Sequence, residues 1–116
     1  MYLLVLVLNK NEHLNPVLER FMDIGISGAT MVDSKGMGRE FMECESPVVG
    51  GLRKLIYEQC RPHNVTIYSI VKDEETIDRA TSEIESIVGD LDRPGTGVLF
   101  VIPLIRVKGF KQNEEK

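Results

Sequence analysis

The chain has 116 residues, with fourteen Lys and Arg against eighteen Asp and Glu and a net charge of −4. That length suits one domain with a core of its own, since domains cluster at roughly 100–150 residues. The acidic balance argues against a general nucleic-acid binder, and two cysteines are too few for a secreted disulfide scaffold. The apolar run Leu3–Leu8 is far shorter than the ~20 residues of a membrane span, and no positive charge precedes it. A soluble cytoplasmic protein is expected.

Tyr2–Asn9 (YLLVLVLN) is continuously apolar and bounded by polar residues, so it predicts a central strand covered on both faces. Asn15 followed by Pro16 predicts a helix start, because the Asn can cap and Pro at the first position wastes no donor. Leu14, Val17, Leu18, Phe21 and Ile24 then recur at helical spacing, and Gly25 can close the helix. A second strand follows at about 29–34. Val65–Val71 predicts a third strand from its β-branched content. Asp73 can cap a second helix that carries Ile77, Ala80, Ile84, Ile87 and Val88 on one stripe, with Arg79 and Glu83 placed to pair. The turn-rich stretch Gly89–Gly97 leads into a last strand, Val98–Leu104, whose Pro103 marks a strand end or an edge.

The order is therefore strand–helix–strand, a long insert, then strand–helix–strand. Two such halves predict an α+β, ferredoxin-like βαββαβ sandwich with both helices on one face and the insert between the second and third strands. The domain is expected to span 1–110, with the insert at 37–64 and a flexible tail at 111–116. The strands are too apolar to leave the other face to water, so copies of the chain are expected to cover it for one another. An insert of this size is long beside ordinary connections of about 4–6 residues, and such loops are commonly functional. The methionines, Met22 and Met31 among them, read as core or loop filler, while Met37, Phe41 and Met42 could form a patch facing a partner.

At Gly25–Glu40 the chain reads GISGATMVDSKGMGRE, which resembles the second strand of the nitrogen regulatory P-II signalling family, G-[IV]-[ST]-G-x-T-V-x-x-x-K-G-x-G-R-Q. The closing segment GTGVLFVIPLIRV is similar to that family's G-D-G-K-I-F-V-x-P-x-x-x-V. The resemblance covers about four fifths of the chain. It implies a homotrimer with nucleotide sites in the clefts between subunits, and an insert equivalent to the T-loop that touches partner proteins. Regulation rather than catalysis is implied. No cofactor is required; the implied effectors are ATP, ADP, AMP or a cyclic nucleotide. The implied target is a membrane transporter or an enzyme, with no role for nucleic acid.

Residue by residue, the resemblance places Thr30 near the adenine, Gly38 and Arg39 at the base of the T-loop, and Ile70 on the strand that approaches the base. Gly95 and Gly97 match the two glycines of the phosphate-binding loop. Thr96 and Val98 stand where the family has its acidic residue and phosphate lysine. The basic pair near the C-terminus is displaced to Arg106 and Lys108, and Glu40 replaces a glutamine that helps hold metal and 2-oxoglutarate. Tyr57 lacks the surrounding uridylylation motif. These departures mark a divergent, PII-like member.

Other readings rest on the residues alone. Backbone N–H groups of a glycine-rich turn can cradle a phosphate, and Arg39 and Arg93 stand beside such turns. Cys60-x-x-His63 has ligand-like spacing, and Cys44 could join it, as in a trimeric metal binder similar to the divalent-cation-tolerance (CutA) family. A buried thiol and a surface histidine, or a Cys44–Cys60 disulfide, fit the same residues. A small ferredoxin-fold enzyme of acylphosphatase type would need an arginine in the turn at Asn9–His13, where there is none. His13 is expected to be solvated or capping, and the sheet lacks the paired aromatic motifs that stack RNA bases.

Overall fold

The computed structural model describes residues 1–35 and 63–110. In chain order they form β1 (Tyr2–Leu8), a 3-10 turn (Asn11–His13), α1 (Leu14–Asp23), β2 (Thr30–Lys35), β3 (His63–Val71), α2 (Glu74–Val88) and β4 (Gly97–Pro103). The strands make one antiparallel sheet in the order β2-β3-β1-β4. This is the expected ferredoxin-like sandwich, with β1 central and β4 on an edge, where a terminal Pro103 costs no ladder bond. The C-terminal residues 111–116 and most of the expected insert lie outside the described residues. β3 begins at His63, so the chain has rejoined the sheet before the expected limit of the insert at residue 64.

One face of the sheet holds the core. Leu4, Leu6 and Leu8 of β1 and Val65, Ile67 and Val71 of β3 cluster with Val17 and Phe21 of α1 and with Ile77, Ala80 and Ile84 of α2. Each of these side chains apart from Ala80 contributes about 1.5–3 kcal/mol on leaving water. The period-2 alternation of the strands and the helical spacing of Val17 and Phe21 select the same interior. Met22 and Met31 do not join it: Met22 is 74% exposed on α1, and Met31 lies on the other edge strand, β2, beyond the helices' cover.

Two local expectations change. The helix starts at Leu14, one residue before Asn15, with His13 at the cap position and no side-chain cap bond. Pro16 is then its third residue, still within the first turn, where a missing N–H breaks no helical bond. Glu83 is engaged by Arg20 across the two helices instead of by Arg79 one turn away. The other signals hold. Asp73 accepts a 2.9 Å hydrogen bond from the Thr76 backbone N–H, and Gly25 follows α1 at φ +94°. The cap bond, with the hydrogen bonding of Thr76 generally, holds the Asp73 carboxyl below its ordinary value. Tyr2 at the start of β1 donates to Glu74 at the start of α2, and that bond and the nearby carboxylate charge raise its phenol above the ordinary value.

Candidate functional site

The expected site residues fall into two groups at opposite ends of the sheet. Thr30 opens β2 directly opposite Tyr68 of β3, which lies opposite Val5, which lies opposite Phe100. This row crosses the face away from the helices. One row further along, Ile70 stands opposite Leu3, itself opposite Ile102. The approach to Thr30 is held from beneath, where the buried Ser69 hydroxyl donates to the Gly28 carbonyl at 2.6 Å. Beyond β4, the Leu104 N–H donates to the Met1 carbonyl, and Phe110 lines a crevice with Gly25, Ser27, Ile70 and Lys72. Arg106 and Lys108, both exposed, lie between these two anchors and hence at the Ile70 end.

The second group surrounds the turn before β4. Gly97 pairs with Leu8, and Leu8 with Val65, which puts this turn at the opposite end of the strands. Leu91 N–H ties the turn to α2 by donating to Glu85 Oε2, and within the turn Asp92 N–H donates to Asp90 Oδ1, Arg93 N–H to the Asp90 carbonyl and Thr96 N–H to the Arg93 carbonyl. Asn9 Nδ2 donates to the Gly95 carbonyl at 2.7 Å and ties the turn to the end of β1. Gly97 has φ +150°, and a Cβ there would stand 2.7 Å from the Val7 carbonyl oxygen, so only glycine fits. Lys35 and His63 are paired at this same end, so the chain departs here toward Gly38 and Arg39, which lie outside the described residues.

One polar cluster escapes a motif-based reading. Ser34 of β2 donates to Asn64 Oδ1 of β3, and its Oγ lies 2.7 Å from Thr66 Oγ1. Asn64 and Thr66 are buried, on the face away from the helices and near the end that carries the turn. The alternation Asn64, Thr66, Tyr68 against Val65, Ile67 is the signal that would have found it. Tyr68 and Phe100 also share a row of this face, so the sheet does carry two aromatics, separated by Val5.

A single copy does not bring the two groups together. Thr30 and Gly97 lie on opposite edge strands, and Gly97 to Pro103 spans roughly 20 Å at about 3.4 Å per residue. Between them lies an apolar face on which Val98, Phe100 and Tyr68 are 54%, 46% and 40% exposed, although Val5 at its centre is already buried. Cys44 and Cys60 lie outside the described residues, and of His63 only the backbone place is described. Among the described residues, no group of three His, Cys, Asp or Glu is placed to hold a metal ion. No described helix is long and apolar enough to cross a membrane.

A family model described as nitrogen regulatory protein P-II matches residues 1–114, almost the whole chain. Among curated proteins, none matches the chain.

Proposed function

The chain belongs to the nitrogen regulatory P-II family, and from that membership we propose that it works as a homotrimeric signalling protein with an adenine-nucleotide effector bound between copies. Thr30, Ile70, Arg106 and Lys108 of one copy form one wall of the cleft. Arg93, Gly95, Thr96 and Gly97 of its neighbour, with Gly38 and Arg39, form the other. The nucleotide biases the 37–64 insert between two arrangements, and the insert carries the signal to a protein target in the cytoplasm, a transporter or an enzyme. No reaction is catalysed.

The observation that carries this reading is the open face of the sheet. It leaves the apolar side chains of Val98, Phe100 and Tyr68 about half exposed among the described residues, and it separates two sets of residues that a nucleotide could touch together only if a second copy supplied one of them. Burying such a face against equivalent faces is the ordinary route to a closed oligomer.

The test is a thermal-shift series with ATP, ADP, AMP and cyclic AMP, with and without Mg²⁺, followed by hydrogen exchange of the insert. A ligand at about 100 times its Kd stabilises the native state by roughly 2.7 kcal/mol, which moves the midpoint visibly. A selective shift together with altered exchange in 37–64 is expected. Absence of a shift with every nucleotide overturns the effector assignment, and a shift without altered exchange overturns the role of the insert.

A further inference from the structure

We infer that the groove between α1 and β2 is a docking site for a segment of a partner protein that carries large apolar side chains flanked by lysine or arginine. The groove holds about 200 Å³ beside the edge strand, lined by Leu18 and Met22 of α1, by Met31 of β2 and by the buried Phe21 and Ile26. It is already shaped. The Ile26 N–H donates to the Phe21 carbonyl at 2.8 Å, and the Ser69 hydroxyl holds the Gly28 carbonyl. A preformed site asks less ordering of the molecule that enters it. Met31 stands opposite the core residue Ile67, so the groove lies on the helix side of the sheet, away from the face over which assembly is proposed.

Two observations choose the occupant. Met22 and Met31 leave 74% and 46% of their surface to water, and thioether side chains are flexible and polarizable, suited to apolar partners of varied shape. Carboxylates flank both methionines: Glu19 lies three residues before Met22 on α1, and Asp33 lies two residues after Met31 on the same face of β2. Both are exposed, and among the described residues no ion pair involves either. The described cations nearby are placed otherwise. Arg20 pairs with Glu83 on α2, and Lys35 has a contact of its own. Lys72 and Phe110 line the neighbouring crevice, whose lining has only Ile26 and Ser27 in common with the groove, and Arg106 and Lys108 lie on the run leading to Phe110. An apolar strip between two carboxylates complements an apolar segment with basic neighbours. It repels the phosphates of nucleic acid or of an anionic membrane.

The experiment follows the methionine methyl signals of the isotope-labelled full chain by NMR as a blocked heptapeptide alternating lysine and leucine is added. Met22→Leu and Met31→Leu assign the two signals. Those of Met22 and Met31 are expected to move along one binding curve, while that of Met1, exposed but outside the groove, stays. A heptapeptide alternating glutamate and leucine is expected to move neither. Glu19→Gln/Asp33→Asn is expected to weaken the lysine peptide about tenfold, and its thermal midpoint and methyl spectrum report whether the fold is intact. Raising the salt weakens binding in the same direction without a substitution. Signals of Met22 and Met31 that stay still, or that answer both peptides alike, overturn the inference. Affinity that is unchanged both by salt and in the folded double variant overturns it too. Signals that move on concentrating the protein alone assign the groove to a second copy and overturn it as well.

Discussion

Gly97→Ala tests how the turn is joined to the sheet. The new Cβ would lie 2.7 Å from the Val7 carbonyl oxygen, and Val7 belongs to the central strand, so the obstacle is backbone that cannot rotate aside. Residue 97 also holds φ +150°, where an L side chain is strained. The conformational part costs about 1–2 kcal/mol, and moving a packed strand adds about 1–3 kcal/mol. Loss of unfolded-state freedom returns about 0.4–1 kcal/mol. The net destabilisation is about 2–4 kcal/mol. Gly95→Ala is the control: φ is +83° but nothing lies within 4 Å of its Cβ, so only the conformational part applies. Urea unfolding at fixed protein concentration reads the difference, because association makes the midpoint concentration-dependent. With a slope of about 1–3 kcal/mol per molar for small proteins, Gly97→Ala lowers the midpoint by about 1–2 M. Gly95→Ala lowers it by well under half as much. A Gly97→Ala protein that unfolds no earlier than Gly95→Ala would refute the steric reasoning.

Three further outcomes follow from the same geometry. Glu83→Gln breaks the pair with Arg20, but both partners are partly open to water, so the loss is about 0.2–1 kcal/mol by thermal unfolding and shrinks in high salt. Asp73 has its carboxyl held below the ordinary 3.8, so its contribution is present above that value and is lost as pH falls through the lowered one; Asp73→Asn removes that part of the acid dependence in a series of melts. Tyr2 is shifted upward from 10.0 by its bond to Glu74, so its stabilisation is present below 10.0 and lost as pH rises through the raised value. An ultraviolet titration of wild type against Tyr2→Phe identifies the late-ionising phenol.

Much of the fold is legible because its signals are local. Seven apolar residues in β1, the Asp73 cap and Gly25 each act within a few residues of chain, and each performs as read. What is not local is lost. Arg79 is the nearer partner for Glu83 along the sequence, yet the packing of α1 on α2 brings Arg20 to it. The start of α1 misleads for a related reason: a proline is tolerated anywhere in the first turn, so Pro16 does not by itself fix the boundary. The site is harder still. Thr30 and Gly97 can each be picked out along the chain, but their separation follows from the strand order β2-β3-β1-β4, which no residue encodes alone. The Ser34–Asn64–Thr66 cluster needs the register of β2 on β3 to exist at all.

The central claim is that copies of the chain assemble over the open sheet face and hold a nucleotide between them. Native mass spectrometry with saturating AMP reads assembly and occupancy together. The account predicts a species of three times 13.1 kDa, about 39 kDa, carrying up to three nucleotides, and its collapse toward the single chain in Phe100→Asp. A wild-type protein that stays at 13.1 kDa, or a trimer that never takes up a nucleotide, would contradict it.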